Sequence, residues 1–258
     1  RGSKVENQTP VIELKSIRKS FGAVQVLNEV NFVAYAGEVT ALVGDNGAGK
    51  STLIKGIAGV QPYDSGQIYF EGNEVQIKAP MEASELGIEV VYQDLALCDN
   101  LDVVQNMFLG REMVHIVSLD EDTMEQKAKK TLADLSVRNI SSVRQKVSNL
   151  SGGQRQTVAI ARSVLWEKKL VILDEPTAAL GVSQTRQVLK MVRRLADSGL
   201  AVILISHNMQ EVTAVADRIQ ILRLGQMVAN LKAKETNINA IVGHITGAEN
   251  LSLSGESL

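Results

Sequence analysis

The sequence predicts an α/β fold with a parallel β-sheet at its core. Four short runs consist almost entirely of β-branched and aliphatic residues, as strands covered on both faces should. Each run ends at a glycine or at polar residues. With 258 residues and 45% hydrophobic content, the chain can bury one large core or a core with a smaller appended subdomain. The four strands are predicted at residues 39–43, 88–92, 170–173 and 201–205.

The first of these strands leads directly into a glycine-rich loop of the form G-x-x-x-x-G-K-[ST]. In such a loop the glycines let backbone N–H groups turn toward phosphates, the lysine reaches the outer phosphates, and the hydroxyl holds Mg²⁺. Residues 50–60 predict a helix whose N-terminus points its free N–H groups and partial positive charge at those phosphates. The loop therefore predicts an ATP or GTP site. Its residues are Gly44, Asp45, Asn46, Gly47, Ala48, Gly49, Lys50, Ser51 and Thr52, with Ser51 as a metal ligand.

Polar residues follow the other three strands: Gln93, the pair Asp174-Glu175, and His207 after Ser206. In an open parallel sheet, ligands bind beyond the carboxyl ends of the strands, so we expect these side chains to gather around the phosphates. An apolar strand that ends in two carboxylates has the form of a Walker B motif. Asp174 would bind Mg²⁺ directly or through water, and Glu175 would polarise the attacking water. The alternative is an acidic turn that caps a helix.

The segments outside this core have other patterns. Residues 11–21, 26–36 and 67–77 alternate between apolar and polar side chains, which predicts an antiparallel β layer. Turns are expected at Ala36-Gly37 and Gly72-Asn73. Residues 94–166 predict helices, and the run of charges within them is most simply an exposed helix face.

Near its end the chain predicts a hairpin around Leu224-Gly225, from residues 218–222 and 226–231, and then a final helix at 238–245. We therefore expect four parts, with the last part disordered. Residues 4–93 form the antiparallel layer and the first part of the core, residues 94–165 a helical subdomain, residues 166–247 the second part of the core, and residues 248–258 a tail.

Composition narrows the classes of function. The net charge of −2 argues against a surface built for nucleic acid, so no nucleic-acid partner is expected. A single cysteine, Cys98, excludes an internal disulfide framework. No apolar run approaches the roughly 20 residues needed to cross a bilayer, and no signal peptide opens the chain. We therefore expect a cytoplasmic protein.

A second motif lies between the phosphate loop and the Asp-Glu strand. It consists of Leu150, Ser151, Gly152, Gly153 and Gln154. A helix pattern at residues 155–165 follows, so the serine and glycines lie at a helix N-terminus, where they can contact a γ-phosphate. An L-S-G-G-Q segment in this position is the signature of ATP-binding-cassette (ABC) ATPases, and the chain resembles that family. The resemblance implies a P-loop (RecA-like) parallel-sheet core, an antiparallel β subdomain and an α-helical signature subdomain.

The resemblance also implies roles for single residues. Gln93 matches the glutamine that contacts Mg²⁺ and the attacking water, and His207 matches the histidine that contacts the γ-phosphate, with a purely structural histidine as the alternative. Phe21 lies where the family has an aromatic residue that stacks on adenine; the alternative is a core phenylalanine. In the family the signature residues complete the ATP site of the opposite subunit, so we expect a homodimer that closes when ATP binds.

One segment departs from the general family pattern. After Pro176-Thr177 most members have Ser-Ala-Leu-Asp, whose Asp bridges the two subunits, whereas this chain has Ala-Ala-Leu followed by Gly181. The departure puts that contact in doubt. The segment from Pro176 to Val182, together with residues 92–97 and 106–112, resembles ATPases of bacterial monosaccharide importers of the ribose, fructose and xylose type. The implied partners are transmembrane permease subunits and, indirectly, a periplasmic or extracellular sugar-binding protein. The chain would then be peripheral on the cytoplasmic face of a bacterial membrane.

Three alternatives remain open at this point. The chain could serve an exporter of a lipid or drug, because the permease chooses the cargo. It could be an ABC ATPase of translation or DNA repair, although those usually carry two cassettes or a long coiled-coil insertion. It could also be a regulatory subunit with an inert nucleotide site, although Lys50, Asp174, Glu175 and His207 are all present.

Overall fold

A computed structural model describes residues 8–115, 118–137 and 139–248. Within these residues the chain forms a six-stranded sheet, a four-stranded antiparallel sheet and a small two-stranded ribbon. The strands are β1 (Ile12–Phe21), β2 (Val24–Ala34), β3 (Val39–Val43), β4 (Ser65–Phe70), β5 (Asn73–Val75), β6 (Ile88–Val91), β7 (Val114–His115), β8 (Ser118–Leu119), β9 (Leu170–Asp174), β10 (Ala201–Ile205), β11 (Arg218–Arg223) and β12 (Gln226–Lys232). The helices are α1 (Lys50–Ile57), α2 (Pro80–Glu85), α3 (Val103–Phe108), α4 (Glu121–Asp134), α5 (Gly152–Ser163), α6 (Val182–Asp197), α7 (Met209–Val215) and α8 (Ile238–Thr246).

The six-stranded sheet has the order β12-β11-β3-β10-β9-β6. Its strands are parallel except for β12, which pairs antiparallel with β11. The four strands expected from the apolar runs are β3, β6, β9 and β10, so the prediction of a parallel core is confirmed. The predicted hairpin supplies β11 and β12, which extend the sheet at one edge.

Both faces are covered in the middle of this sheet, which explains why β3, β9 and β10 consist almost entirely of buried apolar residues. On β9, Val171 and Leu173 pack into a core shared with α3, α4, α5 and α6. The alternate residues Leu170 and Ile172 pack into a second core with α1 and the antiparallel sheet. Successive side chains of a strand point to opposite faces, and burying each aliphatic side chain stabilises the fold by about 1.5–3 kcal/mol.

The antiparallel sheet has the order β2-β1-β4-β5 and packs on the second core. Residues 67–77, which were expected to alternate and to turn at Gly72-Asn73, lie in two strands, β4 and β5, which pair across a two-residue turn at Glu71-Gly72. The turn therefore lies one residue before its predicted position. On the other edge, β1 and β2 meet with Phe21 paired to Val24, which exposes Phe21 at the end of the hairpin.

The segment predicted to be helical contains α3, α4 and α5, but it also contains the ribbon of β7 and β8. The expectation of helices alone was wrong there. Helix α5 begins at Gly152, three residues before its predicted start, because Ser151 caps it. Helix α6 was not predicted, although its buried residues Val188, Met191, Val192 and Leu195 have helical spacing.

The remaining expectations concern two helices, the C-terminal tail and the division of the chain into parts. The final helix is present as α8, and helix α1 ends at Ile57 rather than at residue 60. In the predicted tail, residues 249–258 lie outside the described residues. The division into four parts stays a prediction. Within the described ranges, no helix is both long enough and apolar enough to cross a membrane.

Candidate functional site

A cleft of about 520 Å³ lies where β6, β9 and β10 end beside the glycine-rich loop. It brings together residues from six regions of the sequence: the end of β1, the strand β2, the phosphate loop with the start of α1, the segment after β6, the end of β9 and the end of β10. The lining residues are Phe21, Val26, Asn46, Gly47, Gly49, Lys50, Ser51, Thr52, Gln93, Asp174, Glu175, Ile205 and His207.

The phosphate loop packs closely against its neighbours. Gly44 has φ +153°, and a Cβ atom there would lie 2.0 Å from the carbonyl oxygen of Leu222. Gly49 has φ +107°, and its Cβ would lie 2.8 Å from the side chain of Leu27. Both distances are far below a van der Waals contact, so only glycine fits at either position. The loop is thereby held against β2 and β11.

The start of α1 is arranged to receive an anion. Its N-cap is Gly49, which offers no side-chain cap, and its first turn contains no acidic residue. The first N–H groups of a helix have no partner within the helix, and the helix dipole adds partial positive charge there. Ser51 and Thr52 lie in this first turn and line the cleft.

Lys50 bends back over its own loop. Its Nζ donates hydrogen bonds to the carbonyl oxygens of Gly44 and Asp45, at 2.7 and 3.0 Å. Burial lowers the pKa of Lys50, while the charges of Glu175, Asp45 and Asp174 oppose this shift. Phosphate oxygens would replace the two carbonyl acceptors with charged ones, which make stronger hydrogen bonds to an ammonium group.

Two carboxylates and a histidine form the opposite side of the cleft. Burial raises the pKa of Asp174 and that of Glu175; the charge of Lys50 opposes the first shift, and the neighbouring His207 opposes the second. His207 Nε2 lies 3.1 Å from Glu175 Oε1, yet this oxygen is buried and has no aligned hydrogen-bond donor among the described residues. An unsatisfied buried oxygen is costly unless a water molecule or ligand pairs with it.

The backbone at Glu175 is strained. Its φ is +48°, a conformation that residues other than glycine rarely adopt. The N–H of Glu175 donates to the carbonyl of Ile205 at 3.0 Å, which holds the residue against the end of β10. Strain of this kind persists only where the surrounding structure fixes it, and it is common at functional sites.

The oxygen atoms in the cleft suit Mg²⁺. Ser51, Gln93 and Asp174 offer a hydroxyl, an amide and a carboxylate, and hard cations prefer such oxygen ligands. In the described part of the chain, no group of three or more His, Cys, Asp or Glu could hold a metal by itself. Mg²⁺ usually binds through one or two carboxylates together with substrate phosphates. The residues therefore fit Mg²⁺ that binds with a nucleotide.

The signature residues lie at the start of α5, outside this cleft. Ser151 Oγ accepts a hydrogen bond from the N–H of Gln154 at 3.3 Å, and Gln154 Oε1 accepts one from the N–H of Ser151 at 2.8 Å. Gly153 packs on α6, where its Cβ would lie 2.9 Å from Gln184. Leu150 is buried in the core beneath. The structure thus does not bring the signature and the phosphate loop together within one chain.

The family described as ABC transporter matches residues 27–178, which is more than half of the chain. The chain belongs to the ABC transporter family. It is similar to the fructose import ATP-binding protein FrcA of Rhizobium meliloti, with 44% identity over 94% of this chain and 96% of that protein. It is also similar to the xylose/arabinose import ATP-binding protein XylG of Sulfolobus acidocaldarius, with 46% identity over 92% and 94%.

Similarity to solved structures supports the assignment of the chain to the ABC transporter family. A nucleotide-free ATP-binding cassette from an ABC transporter superposes with a TM-score of 0.80, at 26% identity, over 91% of this chain and 95% of that one. The predictions of an ABC ATPase fold and of an ATP-hydrolysing subunit are confirmed. The roles of single residues stay predictions.

Some residues of this ABC cassette depart from the sequence-based expectation. Phe21 has 44% of its surface exposed, so the alternative of a core phenylalanine was wrong. Val26 and Ile205 line the cleft but were not predicted. Ile205 could have been inferred as the last residue of its strand. Nothing local marks Val26, because only the pairing of β2 with β1 brings it there.

The segment that departs from the family pattern leads into α6. Gly181 is the N-cap of this helix and, unlike an aspartate, offers no side-chain cap. Gln184 compensates in part, because its Oε1 accepts a hydrogen bond from the N–H of Gly181 at 3.2 Å. Gln184 also supports Gly153, so the segment and the signature share one neighbour.

Proposed function

We propose that this chain is the ATPase subunit of a transporter that imports a monosaccharide. FrcA and XylG, which are named as sugar import ATP-binding proteins, support import over the export of a lipid or drug. They equally support transport over a role in translation or DNA repair. On this proposal the chain acts at the cytoplasmic face of the membrane with permease subunits, and a sugar-binding protein delivers the cargo to those subunits.

The single observation that carries the catalytic proposal is the unsatisfied Oε1 of Glu175 in the cleft. A water molecule bonded to this oxygen would be polarised for attack on the γ-phosphate, and the raised pKa of Glu175 makes the carboxylate a better base. His207 lies beside it and would contact the γ-phosphate. Lys50 and the N–H groups of the loop would bind the phosphates, and Phe21 would stack on adenine.

Ser51, Gln93 and Asp174 would hold Mg²⁺ together with the phosphate oxygens. The ion would neutralise charge that develops on the phosphates during transfer. Gln93 lies two residues after the end of β6, so a change in its contacts would also move the segment that follows it. In this proposal, that segment is the part of the chain that contacts the permease.

The signature residues would act in the cleft of a second copy of this chain. Their position outside the cleft supports this, because the N–H groups of Gly152 and Gly153 start a helix and remain free for a γ-phosphate. Two copies arranged head to tail would enclose two ATP molecules in a symmetric dimer. ATP would favour the closed dimer, and hydrolysis would remove the contacts that favour closure.

Sugar uptake by the source cells tests the transport proposal. Cells that lack this chain should lose uptake of one labelled monosaccharide among fructose, xylose and ribose, because no other subunit would supply the energy. The unaltered chain should restore uptake, and a Glu175→Gln chain should not. Unchanged uptake of all three sugars, together with a lost ability to expel a lipid or drug, would contradict import.

A further inference from the structure

The turn of the β11–β12 hairpin, Leu224-Gly225, lies against the phosphate loop. The N–H of Gly225 donates a hydrogen bond to the carbonyl of Ala48 in the loop, at 3.0 Å. The carbonyl of Gly225 accepts one from the N–H of Asn28 in β2, at 2.8 Å. One residue therefore connects the phosphate loop to the strand that carries the cleft residue Val26.

Two constraints require glycine at this position. Gly225 has φ +75°, which side chains disfavour, and a Cβ there would lie 2.5 Å from the carbonyl oxygen of Val26. That oxygen belongs to the backbone of β2, so it cannot move unless the strand moves. The same hairpin also contacts the other end of the loop, where the carbonyl of Leu222 faces Gly44.

A second hairpin of the chain has the same kind of turn without these contacts. In the β4–β5 hairpin the two turn residues, Glu71 and Gly72, have φ values of +49° and +82°. The corresponding values for Leu224 and Gly225 are +47° and +75°. Among the described residues, however, a Cβ on Gly72 would meet only a side-chain methyl of Thr9, at 3.3 Å. An alanine at either glycine would thus carry a similar conformational cost, and only one of them would disturb the cleft.

We propose that Gly225 is a positioning residue of the nucleotide site. It sets the distance between the phosphate loop and the base wall, which we define as Phe21 and Val26. The inference rests on the proposed site, in which the loop binds phosphates and Phe21 stacks on adenine. A nucleotide contacts both the loop and the base wall, so its affinity depends on their separation. A ligand made only of phosphates contacts the loop and the side chains around the γ-phosphate, but not the base wall.

Binding measurements on the purified chain test this role. We expect Gly225→Ala to raise the Kd for ATP by at least about tenfold, and Gly72→Ala to change it by less than about threefold. The Kd for inorganic tripolyphosphate should change by less than about threefold in both variants. An equal loss of ATP affinity in the two variants would overturn the proposal. An equal loss of ATP and tripolyphosphate affinity in Gly225→Ala would do so as well.

Hydrogen exchange on the unaltered chain provides a test that needs no variant to fold. A non-hydrolysable ATP analogue should slow exchange at the N–H groups of Gly225 and Asn28, because it joins the two surfaces that Gly225 connects. Tripolyphosphate should slow exchange at these two N–H groups less than the ATP analogue does. Exchange at the N–H of Gly72 should change with neither ligand. Slowed exchange in the loop without any change at Gly225 and Asn28 would contradict the role.

The outcomes also separate this inference from the proposed function. If the unaltered chain does not bind ATP, the proposed nucleotide site is wrong. If it binds ATP with an affinity that is indifferent to Gly225→Ala, the site stands and only the positioning role falls.

Discussion

The cleft and the signature segment (residues 150–154) differ in how their polar groups are satisfied. In the cleft, as far as the described residues show, Glu175 Oε1 has no aligned donor and α1 has no side-chain cap, while the Nζ of Lys50 donates to carbonyl oxygens of its own loop. In the signature segment, Ser151 and Gln154 cap each other, and Gln154 Nε2 also donates to the carbonyl of Asn139. The cleft is thus built to be completed by a ligand. The signature segment is a helix N-terminus that is already capped by its own side chains and can face a ligand held elsewhere.

The largest effect is expected in the cleft. Glu175→Gln should slow ATP hydrolysis by about 10²- to 10⁴-fold, or about 3 to 5 kcal/mol of barrier, because the amide cannot act as a base. ATP binding should persist, since the amide has nearly the same shape. Steady-state hydrolysis and equilibrium binding of the purified chain measure the two effects.

Glu71→Gln is a matched control for that variant. Glu71 also has a positive φ, +49° against +48° for Glu175, but it is exposed and pairs with Lys169 away from the cleft. Its substitution should leave hydrolysis unchanged. Near-normal turnover of Glu175→Gln would remove Glu175 from its proposed role.

The next largest effect is expected in the signature segment. Ser151→Arg places a long cation where the signature segment would approach the phosphates of another copy, so cooperative hydrolysis should be lost and the rate should fall by at least about tenfold. ATP binding to the single chain should be unaffected, because Ser151 does not line its own cleft. Hydrolysis measured as a function of ATP and protein concentration shows the loss of cooperativity and the fall in rate. Cooperativity equal to that of the unaltered chain would argue against a shared site.

A smaller effect tests the link between the two regions. Arg162, in the last turn of α5, donates hydrogen bonds to the carbonyls of Leu95 and Ala96, at 2.9 and 3.0 Å. Arg162→Gln would leave these acceptors without their donors and should destabilise the chain by about 1–3 kcal/mol. It should also lower kcat more than ATP affinity, because Gln93 lies two residues before Leu95. Denaturant unfolding and kinetics measure these effects, and a loss of stability with unchanged kcat would limit Arg162 to a structural role.

The smallest effect concerns the cap itself. Ser151→Ala removes the side-chain acceptor for the N–H of Gln154 and should cost about 1 kcal/mol of stability. It introduces no charge, so it should impair cooperative hydrolysis less than Ser151→Arg does, because only the contact of the hydroxyl with the γ-phosphate is lost. A thermal or denaturant unfolding curve measures the cost. An unchanged stability would mean that Gln154 alone holds the start of α5.

The sequence predicts the parallel core and most cleft residues because their signals are local. An apolar strand followed directly by a polar residue appears in a few consecutive letters, and parallel strand ends meet at one edge of a sheet. Val26 and Gly225 escape such reasoning, because the packing of segments that are distant in the sequence brings Val26 to the cleft and Gly225 to the phosphate loop. The ribbon of β7 and β8 escapes it too, since two-residue strands are too short for any periodic pattern.

Disulfide crosslinking between two chains that each carry one engineered cysteine tests the central claim most directly, namely that the signature segment of one copy completes the cleft of another. Both chains carry Cys98→Ser and Glu175→Gln; one also carries Asn46→Cys in the cleft, and the other Ser151→Cys in the signature segment. With saturating ATP under mild oxidation, the mixture should give a covalent dimer that joins positions 46 and 151, and without ATP it should not. A mixture that gives no such dimer with ATP bound would contradict the account.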